Sequence, residues 1–202
     1  MRWRSTLLVL TVLMLAMLTG GVLSRASSGP APASSSTSVA GAVRALTDGR
    51  AAAARSLVPA DFEEVMGYRP LVRRGRLVDL EGSCSSVVPL PGAFTPVCAE
   101  HDFGYDLLRY ADRRDLTLPG WARPAIDARM AAQLRQVCVA ELTGSARLRC
   151  LSAAGTASAA VRLNSVRQGD GVPEESAAGL LGSLAVAFSG LSLLAFGRAA
   201  WS

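Results

Sequence analysis

The chain has one histidine, His101, and an acid, Asp102, follows it directly. Imidazole is the side chain best suited to take and return a proton near neutral pH, so a general base is the first chemistry to consider. The two residues cannot serve each other in the simplest way. Adjacent positions on a helix point about 100° apart, which leaves Asp102 free to bind something else and requires the orienting acid to come from another element. Asp127 is the candidate, because it shares a stripe with Met130, Ala131, Leu134 and Cys138 at the spacing of a core-facing helix. A carboxylate on that stripe needs a partner, since burying an unpaired charge is costly. An arginine could fill that role. If the partner is His101 instead, Asp127 accepts the proton on one ring nitrogen and the other nitrogen can deprotonate water. No serine sits in a Gly-x-Ser-x-Gly turn, so water is the expected nucleophile. Such a site needs an electrophile for the oxyanion, and the oxygen-rich loop beside Asp102 points to calcium held by carboxylate and backbone carbonyls.

The elements that must position these groups are helices. Thr95-Pro96 signals a helix start, a capping hydroxyl followed by proline, and the helix carries Cys98, His101, Tyr105 and Leu108 on one face to about Asp112. A second helix begins near Trp121 or Pro124 and continues past Cys138. A third pattern runs from Leu142 to Asn164 after a break at Thr143-Gly144. Upstream, Val39 to Leu57 reads as one helix, and a short helix after Pro59 stops at Gly67. Tyr68 to Leu80 reads as a small hairpin or an irregular loop, and Glu81 to Phe94 as a loop.

Cys84, Cys98, Cys138 and Cys150 all lie in the middle of the chain. An even number in a small exported domain reads as a disulfide framework, and no pair has the close spacing of a zinc site. Of three possible pairings, Cys84 with Cys98 and Cys138 with Cys150 close the shortest loops. Uncharged apolar runs flank this region, at 7–23 and 176–197, each close to the roughly 20 residues of a membrane-spanning helix. Residues 1–25 read as a signal peptide or an anchor, 26–38 as a Ser/Ala/Pro-rich tether, 39–166 as the folded domain, 167–175 as a linker and 176–197 as a transmembrane helix. Arginines at the outer ends of both runs place both termini in the cytoplasm and the cysteine domain outside. Cleavage of the leader, which small residues near Ala26 permit, would leave the domain secreted if nothing else held it.

The net charge of +5 comes from arginine alone, for the chain has no lysine. The arginines are scattered and aromatic residues make up 5% of the chain, which argues against nucleic acid as a partner. A phospholipid membrane fits better, because guanidinium binds phosphate bidentately.

The string Cys98-Ala-Glu-His101-Asp102-Phe-Gly-Tyr105 resembles the C-x-x-H-D-x-G-Y helix of the prokaryotic and fungal type of secreted phospholipase A2. The likeness runs from about Phe62 to Cys150 and includes Gly67-Tyr68, the Cys-Ser-Ser loop at 84–86 and the helix of Asp127. It implies an all-α, disulfide-stapled domain of phospholipase A2 type between hydrophobic helices. It further implies that His101 activates water, that Asp127 orients His101, and that Asp102 binds Ca2+ for attack on the sn-2 ester of glycerophospholipids. One departure concerns the metal: the family places an Asp before the first loop cysteine, where this chain has Ser83, preceded by Glu81-Gly82. Glu81 or Asp79 with a shifted loop, or backbone carbonyls around Ser83, would have to complete the site. The same departure is what an alternative predicts, a catalytically inactive, membrane-anchored module that binds lipid or protein on the same scaffold.

Overall fold

The computed structural model describes residues 33–86 and 89–174. The leader and both apolar runs, 7–23 and 176–197, lie outside the described residues; among those described, no helix is long and apolar enough to cross a membrane. The described part is a helical domain with two disulfides. In chain order it comprises α1 (Ala33–Thr47), α2 (Ala51–Leu57), α3 (Phe62–Met66), β1 (Leu71–Arg73), β2 (Arg76–Val78), a 3-10 turn at Gly92–Phe94, α4 (Thr95–Arg113), α5 (Ala122–Glu141) and α6 (Gly144–Arg167).

Helix α4 is the centre. It is buried nearly all round from Val97 to Ala111, which a helix tolerates only when neighbours cover every face. On one side Phe103 and Leu107 join Val39, Val43, Phe62 and Leu77 in a first core cluster. Phe62 is the anchor there, with ring centroids 5.8 Å from Phe103 and 5.6 Å from Tyr110, and burying one such ring is worth about 2–3 kcal/mol. On the other side Val97 and Cys98 join Phe94, Met130, Leu134 and Cys138 in a second cluster. Helix α5 also contributes to both, through Ile126 to the first and Met130 to the second. His101 and Asp127 therefore occupy the junction between the clusters on both helices.

The staples pair as the short-loop argument expects. Cys84–Cys98 ties the loop before α4 to α4 itself, with Cα atoms 5.1 Å apart, and Cys138–Cys150 ties α5 to α6 at 5.6 Å. The ambiguous segment after Tyr68 is a hairpin, Leu71 facing Val78 and Arg73 facing Arg76, turned by Arg74 and Gly75 at positive φ.

Three expectations need correction. The helix expected over 39–57 is two helices, because Gly49 takes φ +77° and ends α1, as a left-handed glycine does. The tether expected over 26–38 gives way to helix from Ala33, since α1 is seated by buried Val39, Ala42 and Val43 and by the Ser38 hydroxyl donating to the Leu57 carbonyl at 3.0 Å. Thr95 is the first residue of α4 and makes no side-chain cap, because the preceding 3-10 turn already leads the backbone into the helix.

Candidate active site

Gly104 sets the distance between α4 and α5. A Cβ there would lie 2.8 Å from Ile126 Cγ2, closer than real contacts allow, so only glycine lets the two helices meet at this level. Gly104 sits between His101 and Tyr105, and Ile126 is next to Asp127. The close approach thus brings His101 Nε2 to 3.1 Å from Asp127 Oδ1, with both side chains almost fully buried. Asp102 lies on the other side of the ring: its nearest oxygen is 4.0 Å from His101 Nδ1, beyond hydrogen-bond range. The angular separation expected of neighbouring helical residues holds in three dimensions.

Asp127 has further donors. The Tyr105 hydroxyl donates to Oδ1 at 2.8 Å and the Ser165 hydroxyl to Oδ2 at 2.6 Å. Burial raises the pKa of this carboxyl, but hydrogen bonds from His101, Ser165 and Tyr105 outweigh it and leave it below the usual carboxylate range. An ionised Asp127 assigns the proton of the imidazole to Nε2 and the lone pair to Nδ1. Behind this layer lies Arg123, 1% exposed, whose Nε donates to the Tyr105 oxygen at 3.4 Å and whose guanidinium stacks over the Tyr105 ring. Burial, with the neighbouring Asp127, pushes Tyr105 up to about 12, so it remains a donor at any physiological pH. His101 also borders a small cavity, about large enough for one water, together with Leu46, Thr47, Ile126, Arg129 and Met130.

The loop expected to hold a metal passes close to Asp102. A Cβ on Gly82 would lie 3.1 Å from Asp102 Oδ2, and the Ser83 N–H donates to the same oxygen at 3.0 Å. Burial pushes Asp102 up to about 6, although the neighbouring His101, the Ser83 amide and the charge of Arg109 each pull it down. A partly buried carboxylate, 34% exposed and closely overlain by the backbone at Gly82, can serve as an oxygen ligand for a cation. The donor set is thin, however. Glu81 is exposed and its N–H donates to Asp79 Oδ1, but its own carboxylate does not reach Asp102. Ser83 arrives through its amide. No three His, Cys, Asp or Glu side chains gather into a metal group among the described residues, so carbonyls and water would have to supply most of the six to eight oxygens calcium takes.

Tyr105 was within reach of sequence reasoning, four residues from His101 on the same face. Ser165 and Arg123 were not, for nothing in the local pattern of a serine or an arginine predicts burial. A second buried acid was also missed: Glu100 accepts from Arg76 at 2.7 Å and from Gln133 at 3.0 Å, with Arg129 at 3.5 Å. Tyr68, within the Gly-Tyr noted in the sequence, donates to Asp106 at 2.8 Å, and burial together with that carboxylate raises its pKa strongly. No protein-family model matches the chain, and no curated protein or solved structure matches it significantly.

Proposed function

We propose that the protein is a membrane-associated esterase that uses His101 to activate water against the sn-2 ester of glycerophospholipids. The observation that carries this reading is the buried His101–Asp127 pair at 3.1 Å, whose acid is itself held by two hydroxyls. A histidine that merely fills space has no need of such an arrangement. In the reaction, Nδ1 takes a proton from water as the water oxygen bonds to the ester carbonyl carbon. The tetrahedral adduct then breaks its bond to the glycerol oxygen, and the imidazolium returns the proton to that departing oxygen. Asp127 stays ionised throughout, fixing the tautomer and stabilising the imidazolium.

The choice of a lipid substrate rests on the resemblance of residues 98–105 to the phospholipase A2 helix and on the apolar runs at both ends of the chain. An anchored enzyme meets its substrate at high effective concentration. The disulfides support a location on the outer face of a bacterial membrane, where thiols oxidise. Calcium would be held by Asp102 with carbonyls of the loop ending at Cys84, and when bound it would supply positive charge for the lipid phosphate and the carbonyl oxygen.

One observation favours the alternative, a non-catalytic lipid- or protein-binding module: the Ser83 amide occupies Asp102 Oδ2 where the family would bring a second carboxylate. Fatty-acid release from phospholipid vesicles separates the two. The esterase reading expects release that a chelator abolishes and that His101→Ala reduces by about 100-fold or more, the usual worth of a general base. Vesicle binding without release by the folded native chain would establish the module instead.

A further inference from the structure

The far end of α6 touches the rest of the domain in an unusual way. Of its 24 residues only Cys150, Ala154 and Ser165 are buried. The first two belong to the disulfide and the second core cluster. Beyond Ala154 the helix runs three more turns and buries no apolar side chain completely, yet Ser165 has no exposed surface at all. Its surroundings are polar: Asp127 Oδ2 at 2.6 Å and the Tyr105 hydroxyl oxygen at 3.1 Å.

We infer that Ser165 is a positioning residue of the site, delivered by the end of α6 to fix the Asp127 carboxylate against His101. Proton accounting supports this. The Tyr105 hydroxyl has one proton and donates it to Oδ1, which also accepts from His101; Oδ2 is left to Ser165, whose single proton it receives. Without Ser165 no donor among the described residues reaches that oxygen, and the carboxylate is held through Oδ1 alone. The chain just after α6 holds the helix end in place. Gly169 and Asp170 turn at positive φ, so that the Gly171 carbonyl and the Gln168 side chain both accept from Arg123 at 2.8 Å, while Arg123 reaches Tyr105. The acid of the site is therefore fixed from a third helix, one that is joined to α5 by the Cys138–Cys150 bridge.

The inference deepens the esterase reading and rests on it for its catalytic meaning, but the test reads the geometry separately. His101 is the sole histidine, so nitrogen-15 spectra of the full chain in detergent contain one imidazole. The native protein should show a fixed tautomer with the proton on Nε2. In Ser165→Ala that proton should exchange with water about tenfold faster, the loss expected for one charge-assisted hydrogen bond, and the nitrogen shifts should move toward averaged tautomers. Ser158→Ala is the control, since the Ser158 hydroxyl bonds only to the Ala154 carbonyl on the same helix. Unchanged imidazole signals in folded Ser165→Ala would overturn the inference, and so would equal changes in Ser158→Ala, which would reveal a general loosening of α6. A native chain that releases no fatty acid yet shows the Ser165-dependent tautomer would defeat the esterase reading and leave the positioning role standing.

Discussion

Replacing Asp127 with asparagine keeps the shape of the side chain but removes its charge and exchanges one acceptor oxygen for an NH2 donor. The native carboxylate accepts three hydrogen bonds, from His101 at 3.1 Å, Tyr105 at 2.8 Å and Ser165 at 2.6 Å. A bond to a charged acceptor is worth about 1 kcal/mol more than one to a neutral acceptor. Three such losses come to about 3 kcal/mol for the charge alone, before the exchanged acceptor oxygen is counted, and donors sharing one carboxylate are not additive. The larger effect falls on the tautomer. An asparagine amide has only one acceptor oxygen, and where its NH2 faces the ring, Nε2 must accept and the proton moves to Nδ1. The base is then protonated on the wrong nitrogen, and fatty-acid release should fall by about 100- to 10,000-fold. The assay compares release from vesicles with urea unfolding of the same samples, so that loss of fold and loss of base are separated. A folded Asp127→Asn protein that retained activity within about threefold of native would refute the role given to Asp127.

Gly104→Ala should force α4 and α5 apart, since its Cβ would meet Ile126 at 2.8 Å; overpacking of this kind costs about 1–3 kcal/mol, and Ile126→Ala in the same chain should recover part of the lost melting temperature. Acid titration should show two opposite trends. Asp127 is depressed in the folded state, so its contribution is present above the ordinary carboxylate pKa and is lost as pH falls through the folded value. Asp102 is raised to about 6, so the folded state holds more protons than the unfolded chain between the ordinary value and that figure, and stability should fall as pH rises through this window. Asp102→Asn should remove that fall in metal-free buffer, as followed by melting temperature against pH. Breaking the Cys138–Cys150 bridge, whose cysteines are 12 residues apart, should cost about 3 kcal/mol on chain-entropy grounds, measured by urea unfolding of the Cys138→Ser, Cys150→Ser double variant.

What the sequence alone determined was local. The spacing of apolar residues placed helices around His101 and Asp127 to within a few residues, and the 100° step between neighbours separated the directions of His101 and Asp102. The cysteine spacing favoured the two pairs that form, because short loops lose least entropy on closing. Tertiary structure decided everything that depends on groups far apart in the chain. That Ser165 reaches Asp127 across 38 residues, that Arg123 braces Tyr105 from another helix, and that the Ser83 amide rather than a carboxylate meets Asp102 are outcomes of packing. Hydroxyls, guanidinium groups and loop amides leave no periodic mark in a sequence. Their partners are fixed by how closely helices can approach, here by the bare Cα of Gly104 against Ile126.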